Sequence, residues 1–120
     1  MKSKVVRRDE VPVDAAPWGT LQWLFGRNLP ELGMTVGRVT FKPGEANPGH
    51  HHPNCDEILI VVRGRLEHSL PEGGTVLLNS GDAIALPRGK AHQARNIGDE
   101  TAEVLVVFNH ADRQTIGEAP

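Results

Sequence analysis

The chain has 120 residues, the size of a single domain that can bury one hydrophobic core. Its 13 basic and 15 acidic residues give a formal charge of −2 without a basic block or stripe, so nucleic acid is not an expected partner. No apolar run is long enough to span a membrane. The single cysteine, Cys55, has no intramolecular disulfide partner, and no apolar run of signal-peptide length follows Met1, so we expect a cytoplasmic protein.

The composition favours short strands joined by tight turns over a helical bundle, because the chain has 13 Gly and 9 Pro but only 3 Phe, 2 Trp and no Tyr. Residues 1–16 are charged and predict a short edge strand or a loose tail. Residues 17–25 contain both tryptophans. We expect Trp18 and Trp23 to pack on the sheet, with a dimer contact or a place in a ligand pocket as alternatives, and Trp23 is a candidate substrate contact.

Residues 34–41 alternate in a pattern that predicts a strand with two unequal faces. Val39 and Phe41 share one face, and Arg38 and Thr40 share the other. If the face with Arg38 points into the protein, its guanidinium is a candidate to bind a substrate carboxylate through two hydrogen bonds. The alternative is an arginine at the rim, solvated or paired with an acidic neighbour.

The most informative stretch runs from Gly44 to Gly64. His50 and His52 are two residues apart, so on an extended strand both imidazoles point to the same face. Glu57 follows and opens the run ILIVV, whose apolar side chains on both faces predict a strand buried on both sides, in a sandwich or an interface. Gly64 indicates a hairpin turn, and further strands are predicted at 65–70 and 75–79.

A second stretch, residues 81–96, predicts a strand at 82–86, a turn at 87–90 and a strand at 91–96 that carries His92. The apolar run at 103–108 predicts the last strand. Eight to ten short strands with no convincing helix are typical of an all-β sandwich or barrel.

These two stretches resemble the two sequence motifs of the cupin superfamily. The first motif, G-x5-H-x-H-x4-E-x6-G, matches at every defined position. The second, G-x5-P-x-G-x2-H-x3-N, also matches throughout. The matching residues are Gly44, His50, His52, Glu57 and Gly64 for the first motif and Gly81, Pro87, Gly89, His92 and Asn96 for the second.

The resemblance implies a single-domain cupin-type jelly-roll β-barrel, also called a double-stranded β-helix. It covers residues 33–110, between an N-terminal segment (1–32) that has a possible edge or dimer-contact strand and a C-terminal tail (111–120). It also implies a metal ion held by His50, His52, Glu57 and His92.

Three imidazoles and one carboxylate suit one divalent transition metal ion, and Mn, Fe, Ni, Co, Cu and Zn are all compatible with this set. Four protein ligands leave two neighbouring positions free on an ion that prefers six. A sugar, a keto or hydroxy acid, or a diketone could chelate the ion there.

The remaining candidates are less specific. His51 is predicted to face solvent or a dimer partner, because strand alternation turns it away from its neighbours. His68 and His110 lie outside both motifs and are predicted to be surface residues. Cys55 is expected to be buried as a small apolar residue, although its position allows metal binding or oxidation. No general acid or base stands out among the conceivable candidates Gln93, Arg95, Glu103 and His51.

The resemblance alone fixes no reaction. Our hypothesis is a metal-dependent enzyme for a small oxygenated metabolite, with enolisation of the isomerase or lyase type slightly preferred over O2-dependent cleavage by a dioxygenase. The alternatives are a non-catalytic binding or sensing module and a protein in which the metal only adds stability. The apolar strands at 58–62 and 103–108 predict a homodimer.

Overall fold

The computed structural model describes residues 1–117, and their backbone forms antiparallel strands joined by turns. Within these residues the only helical segments are two 3₁₀ turns, Arg8–Glu10 and Pro30–Leu32, and no helix could cross a membrane. The strands are β1 (Asp14–Ala16), β2 (Gly19–Phe25), β3 (Thr35–Phe41), β4 (His50–His51), β5 (Glu57–Arg63), β6 (Arg65–Ser69), β7 (Thr75–Asn79), β8 (Ala83–Leu86), β9 (Ala94–Asn96), β10 (Ala102–Phe108) and β11 (Ile116–Gly117). The predicted all-β class is confirmed.

The strands form one large sheet, one small sheet and a two-stranded ribbon. The large sheet has six strands in the order β1-β2-β3-β10-β5-β8, and the small sheet has three in the order β7-β6-β9. The ribbon consists of β4 and β11. This arrangement is the double-stranded β-helix that the sequence motifs predict.

The inner face of the large sheet follows from the two-residue period of its strands. In β3 and β10 every second residue is buried, so Val39, Phe41, Val104, Val106 and Phe108 point inward. The small sheet contributes its own buried side chains to the same cluster, namely Leu66, Leu78 and Ala94. One hydrophobic core therefore lies between the two sheets.

Within one chain, the outer face of β5 is partly exposed, so of the two predicted settings for this strand the interface stays a prediction. Leu59 and Val61 are buried, but Ile58 and Val62 are 46% and 42% exposed. The strand is thus not buried on both sides within one chain. The strands that pair with β5, namely β10 and β8, flank it edge to edge and leave Ile58 and Val62 accessible.

The N-terminal segment supplies β1 and β2, two strands at one edge of the large sheet. The edge strand forms at Asp14–Ala16, after the charged residues, and pairs with β2. The buried side chain of Gln22 on β2 donates hydrogen bonds to the carbonyl oxygens of Arg8 (2.8 Å) and Val11 (3.2 Å). These bonds fix the 3₁₀ turn at Arg8–Glu10 over one part of the outer sheet face.

The C-terminal segment, residues 111–117, runs across one end of the barrel. Ile116 and Gly117 pair with His51 and His50. Asn54 holds the preceding part of the segment, because its Nδ2 donates to the Asp112 carbonyl (2.9 Å) and its Oδ1 accepts the Gln114 N–H (2.9 Å). The segment therefore lies beside the histidines of β4.

Candidate metal centre

Four side chains converge at this end of the barrel. The ligand atoms of His50, His52, Glu57 and His92 all lie within 4.8 Å of one another. They come from β4, the residue after it, the first residue of β5, and the connection between β8 and β9. The structure therefore brings together all four residues that the sequence predicts as metal ligands.

Backbone pairing places two of the imidazoles side by side. His50 and His92 form an antiparallel bridge in which each N–H donates to the other residue's carbonyl, at 3.1 and 2.8 Å. Side chains of directly opposed residues lie on the same face of the pair. The two rings are accordingly 4.4 Å apart between centroids.

The outward hydrogen bonds of two histidines fix their tautomers. Nδ1 of His50 lies 2.8 Å from the Pro48 carbonyl oxygen, and Nδ1 of His52 lies 2.9 Å from the Gln114 carbonyl oxygen. A carbonyl only accepts, so both Nδ1 atoms carry the proton. Each Nε2 then has a free lone pair, which is the form in which histidine binds a metal.

The inner atoms of the cluster lack hydrogen-bond partners among the described residues. Nε2 of His52, Nε2 of His92 and Oε1 of Glu57 are buried, yet none makes a hydrogen bond there. Both nitrogens lie close to the same Glu57 oxygen, at 3.2 and 3.4 Å. Octahedral ligands about 2.1 Å from an ion lie about 3 Å from one another. The residues therefore fit one divalent transition metal ion, which would satisfy all three atoms.

Two of the clustered histidines, His50 and His92, have the protonation state that metal binding needs. Burial, followed by the neighbouring His50, lowers the pKa of His92 to about 3. Burial likewise lowers the pKa of His50. Both imidazoles are therefore neutral at pH 7, as ligands must be.

A cavity of about 280 Å³ extends from the cluster into the barrel. Most of its wall is apolar. Trp18 packs on Phe41 with ring centroids 5.1 Å apart, and Trp23 packs on Phe108 at 6.3 Å. Both tryptophans pack against the core and line the cavity, and a substrate contact by Trp23 stays a prediction.

Arg113 also lines this cavity, and sequence reasoning missed it. Its guanidinium carbon lies 3.7 Å from the centroid of the Trp23 ring. The residue lies outside both motifs in a segment without strand periodicity. No local sequence signal distinguishes it from the other arginines of the chain.

His68 is a correction to the sequence-based prediction. It is only 1% exposed, lines the cavity, and stacks on His92 with ring centroids 5.6 Å apart and an angle of 15° between the planes. Its Nδ1 donates to the Ser69 carbonyl (2.7 Å), and burial lowers its pKa. Strand alternation in β6 could have predicted this burial, because His68 lies on the same face as the apolar Leu66. His110 is exposed, as predicted.

Arg38 does not join the site. It lies on the outer face of β3, where Nη1 donates to Oε1 of Gln22 (2.7 Å) and Nε lies 3.6 Å from Oε1 of Glu103. This is the second of the two predicted arrangements, an arginine paired with an acidic neighbour. The reason is the strand period, which turns Arg38 away when Val39 and Phe41 enter the core.

The other candidates lie outside the cluster. Cys55 is 1% exposed, as expected for a small apolar residue, and burial raises the pKa of its thiol. His51 is not one of the clustered residues. The four conceivable acid or base groups do not line the cavity; they are Gln93, Arg95, Glu103 and His51.

A compact antiparallel barrel with three histidines and a glutamate clustered at one end defines a metal-binding β-barrel protein. The family model described as "Cupin domain" matches residues 37–108. The chain therefore belongs to the cupin family.

Similar proteins include plant germin-like proteins and oxalate oxidases. Germin-like protein 3-8 of Oryza sativa subsp. japonica is 36% identical over 85 residues, which cover 68% of this chain and 38% of the relative. Oxalate oxidase GF-3.8 of Triticum aestivum is 38% identical, with 65% and 38% covered. A solved recombinant oxalate oxidase in complex with glycolate is 28% identical, with a TM-score of 0.76 and 86% and 57% covered. The match spans about two fifths of the length of these plant relatives.

Proposed function

We propose that the protein is a metal-dependent enzyme that acts on a small oxygenated metabolite. The observation that supports this most directly is the convergence of three buried, unpartnered atoms at the end of an apolar cavity. His50, His52, Glu57 and His92 would hold the ion. When bound, the ion would act as a Lewis acid toward a chelating substrate in its two remaining positions.

The residues around the cluster would prepare the site for chemistry. Apolar side chains such as Trp18, Leu21 and Phe41 exclude water from the cavity, which strengthens electrostatic interactions inside it. The carbonyls of Pro48 and Gln114 keep His50 and His52 oriented through their Nδ1 protons.

Enolisation, as in isomerases and lyases, is the reaction we place first. Such a reaction needs a group that accepts a proton from a carbon next to a carbonyl. His68 lines the cavity, and the bond from its Nδ1 to the Ser69 carbonyl leaves the lone pair on Nε2. This imidazole is our candidate for the proton acceptor.

O2-dependent oxidation, as in oxidases and dioxygenases, is the second candidate. It is supported by the relatives, since those of wheat are named oxalate oxidases and share 38% identity with this chain over the matched region. The same ligand set would serve this chemistry if the bound metal were redox-active.

The test begins with elemental analysis of protein purified without a histidine tag, followed by assays with and without oxygen. We expect one transition metal ion per chain and turnover of a chelating substrate. Equal turnover with and without oxygen would support enolisation, and turnover with oxygen uptake would support oxidation. A ligand that binds saturably and is recovered unchanged would contradict the proposed enzymatic function. It would support a binding or sensing module instead.

We also propose a homodimer formed through the outer face of the large sheet. Ile58 and Val62 are exposed there, and Ile60, Leu105 and Val107 are half-buried on the same face. A second copy of the chain is the simplest occupant, because two-fold dimers are the commonest assemblies and bury the same patch on both subunits.

The cytoplasmic location stays a prediction, to be checked by fractionating the source cells.

A further inference from the structure

We propose that Arg113 binds a carboxylate of the substrate and thereby selects acids among the metabolites able to chelate the ion. This inference rests on the proposed function, because it assumes that the cavity beside the metal cluster is the substrate site. It narrows the substrate class from small oxygenated compounds to small carboxylic acids.

The position of Arg113 is set by aromatic packing. Its guanidinium lies over the Trp23 ring at 3.7 Å and is 5.4 Å from the centroid of the Phe108 ring. Stacking on an aromatic face holds the guanidinium plane and leaves its N–H edges available. The charged group is thus oriented in the wall of the cavity that holds the metal cluster.

The charge of Arg113 has no close counter-ion within residues 1–117. No carboxylate oxygen of these residues lies within the 4.0 Å of an ion pair. The hydrogen bond found for its guanidinium runs from Nη1 to the Thr115 hydroxyl, at 2.5 Å. A guanidinium has five N–H donors, so most of those of Arg113 have no partner among residues 1–117 and could bind a ligand.

Burial makes this arrangement costly for the protein alone. Desolvation lowers the pKa of Arg113, because the charged form loses water and the longer-range attraction of Glu57 offsets only part of that loss. An anionic ligand would restore the lost interaction. A carboxylate fits best, since its two oxygens match the paired N–H groups of arginine.

Arg113 is the residue of this cavity that is suited to bind an anionic group. Of the described residues that line it, Arg113 is the one lysine or arginine. A small acid would therefore bind with one carboxylate oxygen toward Arg113 and with its other carboxylate oxygen and a neighbouring hydroxyl or keto oxygen toward the metal cluster. Its hydrocarbon part would lie against Trp18 and Leu21.

The experiment compares lactate with lactamide, which differ only in carboxylate against carboxamide. Calorimetry on zinc-loaded protein measures binding without redox chemistry. We expect the wild type to prefer lactate and Arg113→Gln to weaken lactate binding about 10- to 100-fold while changing lactamide binding little. Arg113→Lys keeps a charge and an alkyl chain over Trp23, so its loss should be smaller.

Arg63→Gln is the matched control. It removes the same charge from an exposed residue at the far end of β5, six residues from Glu57, and should leave both affinities unchanged. Equal lactate affinity in the wild type and both Arg113 variants would overturn the inference, as would equal wild-type affinity for lactate and lactamide. Zinc content of the same samples separates the proposals, because a wild type that holds no metal contradicts the metal centre itself.

Discussion

Individual atoms of the cluster owe their orientation to groups outside it. His52 depends on the C-terminal segment, since its Nδ1 donates to the Gln114 carbonyl and lies 3.1 Å from the Thr115 hydroxyl. His50 depends on Pro48 in the preceding loop. Such outer contacts hold the ring and its tautomer before a metal arrives.

His52→Ala should abolish metal binding, because it removes a buried nitrogen that faces Glu57. The expected metal content falls from one ion per chain to nearly none by elemental analysis. His110→Ala is the control, since that histidine is exposed and outside the cluster, and should keep the full content. Unchanged metal in His52→Ala would refute the assignment.

The metal-free protein should lose stability as the pH falls from about 6.5 toward 3. His92 has a pKa of about 3 when folded and an ordinary value of 6.5, so the unfolded chain binds its proton first. The free energy of unfolding should fall by up to a few kcal/mol across this window. His50 and His68 add in the same direction, because burial lowers both pKa values.

Urea titrations of chelator-treated protein at pH 7 and pH 5 measure this effect. His92→Asn cannot take up the proton, so the loss of stability between the two pH values should be smaller in the variant. The groups that face His92 remain in both proteins; they are His50, His51, His52, His68 and Glu57. Equal losses in the wild type and the variant would contradict the role of His92.

Among the elements, the connection between β5 and β6 is tightly constrained. Gly64 has a φ of 95°, and a Cβ there would lie 2.8 Å from the Cβ of Ala102. Gly81 has a similar φ of 92°, but a Cβ would meet no atom within 4 Å. A side chain at either glycine would therefore adopt a strained positive φ, but only a side chain at Gly64 would also clash with a neighbouring residue.

Gly64→Ala should therefore cost more stability than Gly81→Ala. Both substitutions strain a positive φ, at roughly 1 kcal/mol or more, and Gly64→Ala adds overpacking of about 1 to 3 kcal/mol. Chemical denaturation of both variants checks the difference. Equal destabilisation would mean that β10 moves away from the connection at little cost.

At the scale of the whole molecule, the two faces of the large sheet differ in what covers them. The inner face holds the core and the cavity wall. The outer face leaves Ile58 and Val62 exposed on β5, beside β10, which carries Leu105 and Val107. One part of that outer face is covered by the segment that Gln22 holds.

We expect light scattering at micromolar concentration to give the mass of a dimer. The pair Ile58→Asp and Val62→Asp should shift the mass to that of a monomer, since it places charge in the proposed contact. Leu77→Asp is the matched control, because Leu77 is 53% exposed on the small sheet. A monomeric wild type would contradict the dimer.

The sequence by itself determined the all-β class, most strand positions and the four clustered residues, because strand periodicity and motif spacing are local properties. The strand predicted at 75–79 coincides with β7, and the strand predicted at 103–108 is β10 with one further residue. Motif spacing likewise identified the four candidate metal ligands, which are His50, His52, Glu57 and His92.

Only the tertiary structure decided which of the remaining residues meet the cluster. Arg113 reaches the cavity because β11 pairs with β4 across about 65 residues of sequence, and His68 turns inward because the small sheet closes over the large one. Arg38 points outward because the other face of β3, which carries Val39 and Phe41, packs into the core. Such long-range pairings depend on the packing of the whole barrel, which no local pattern contains.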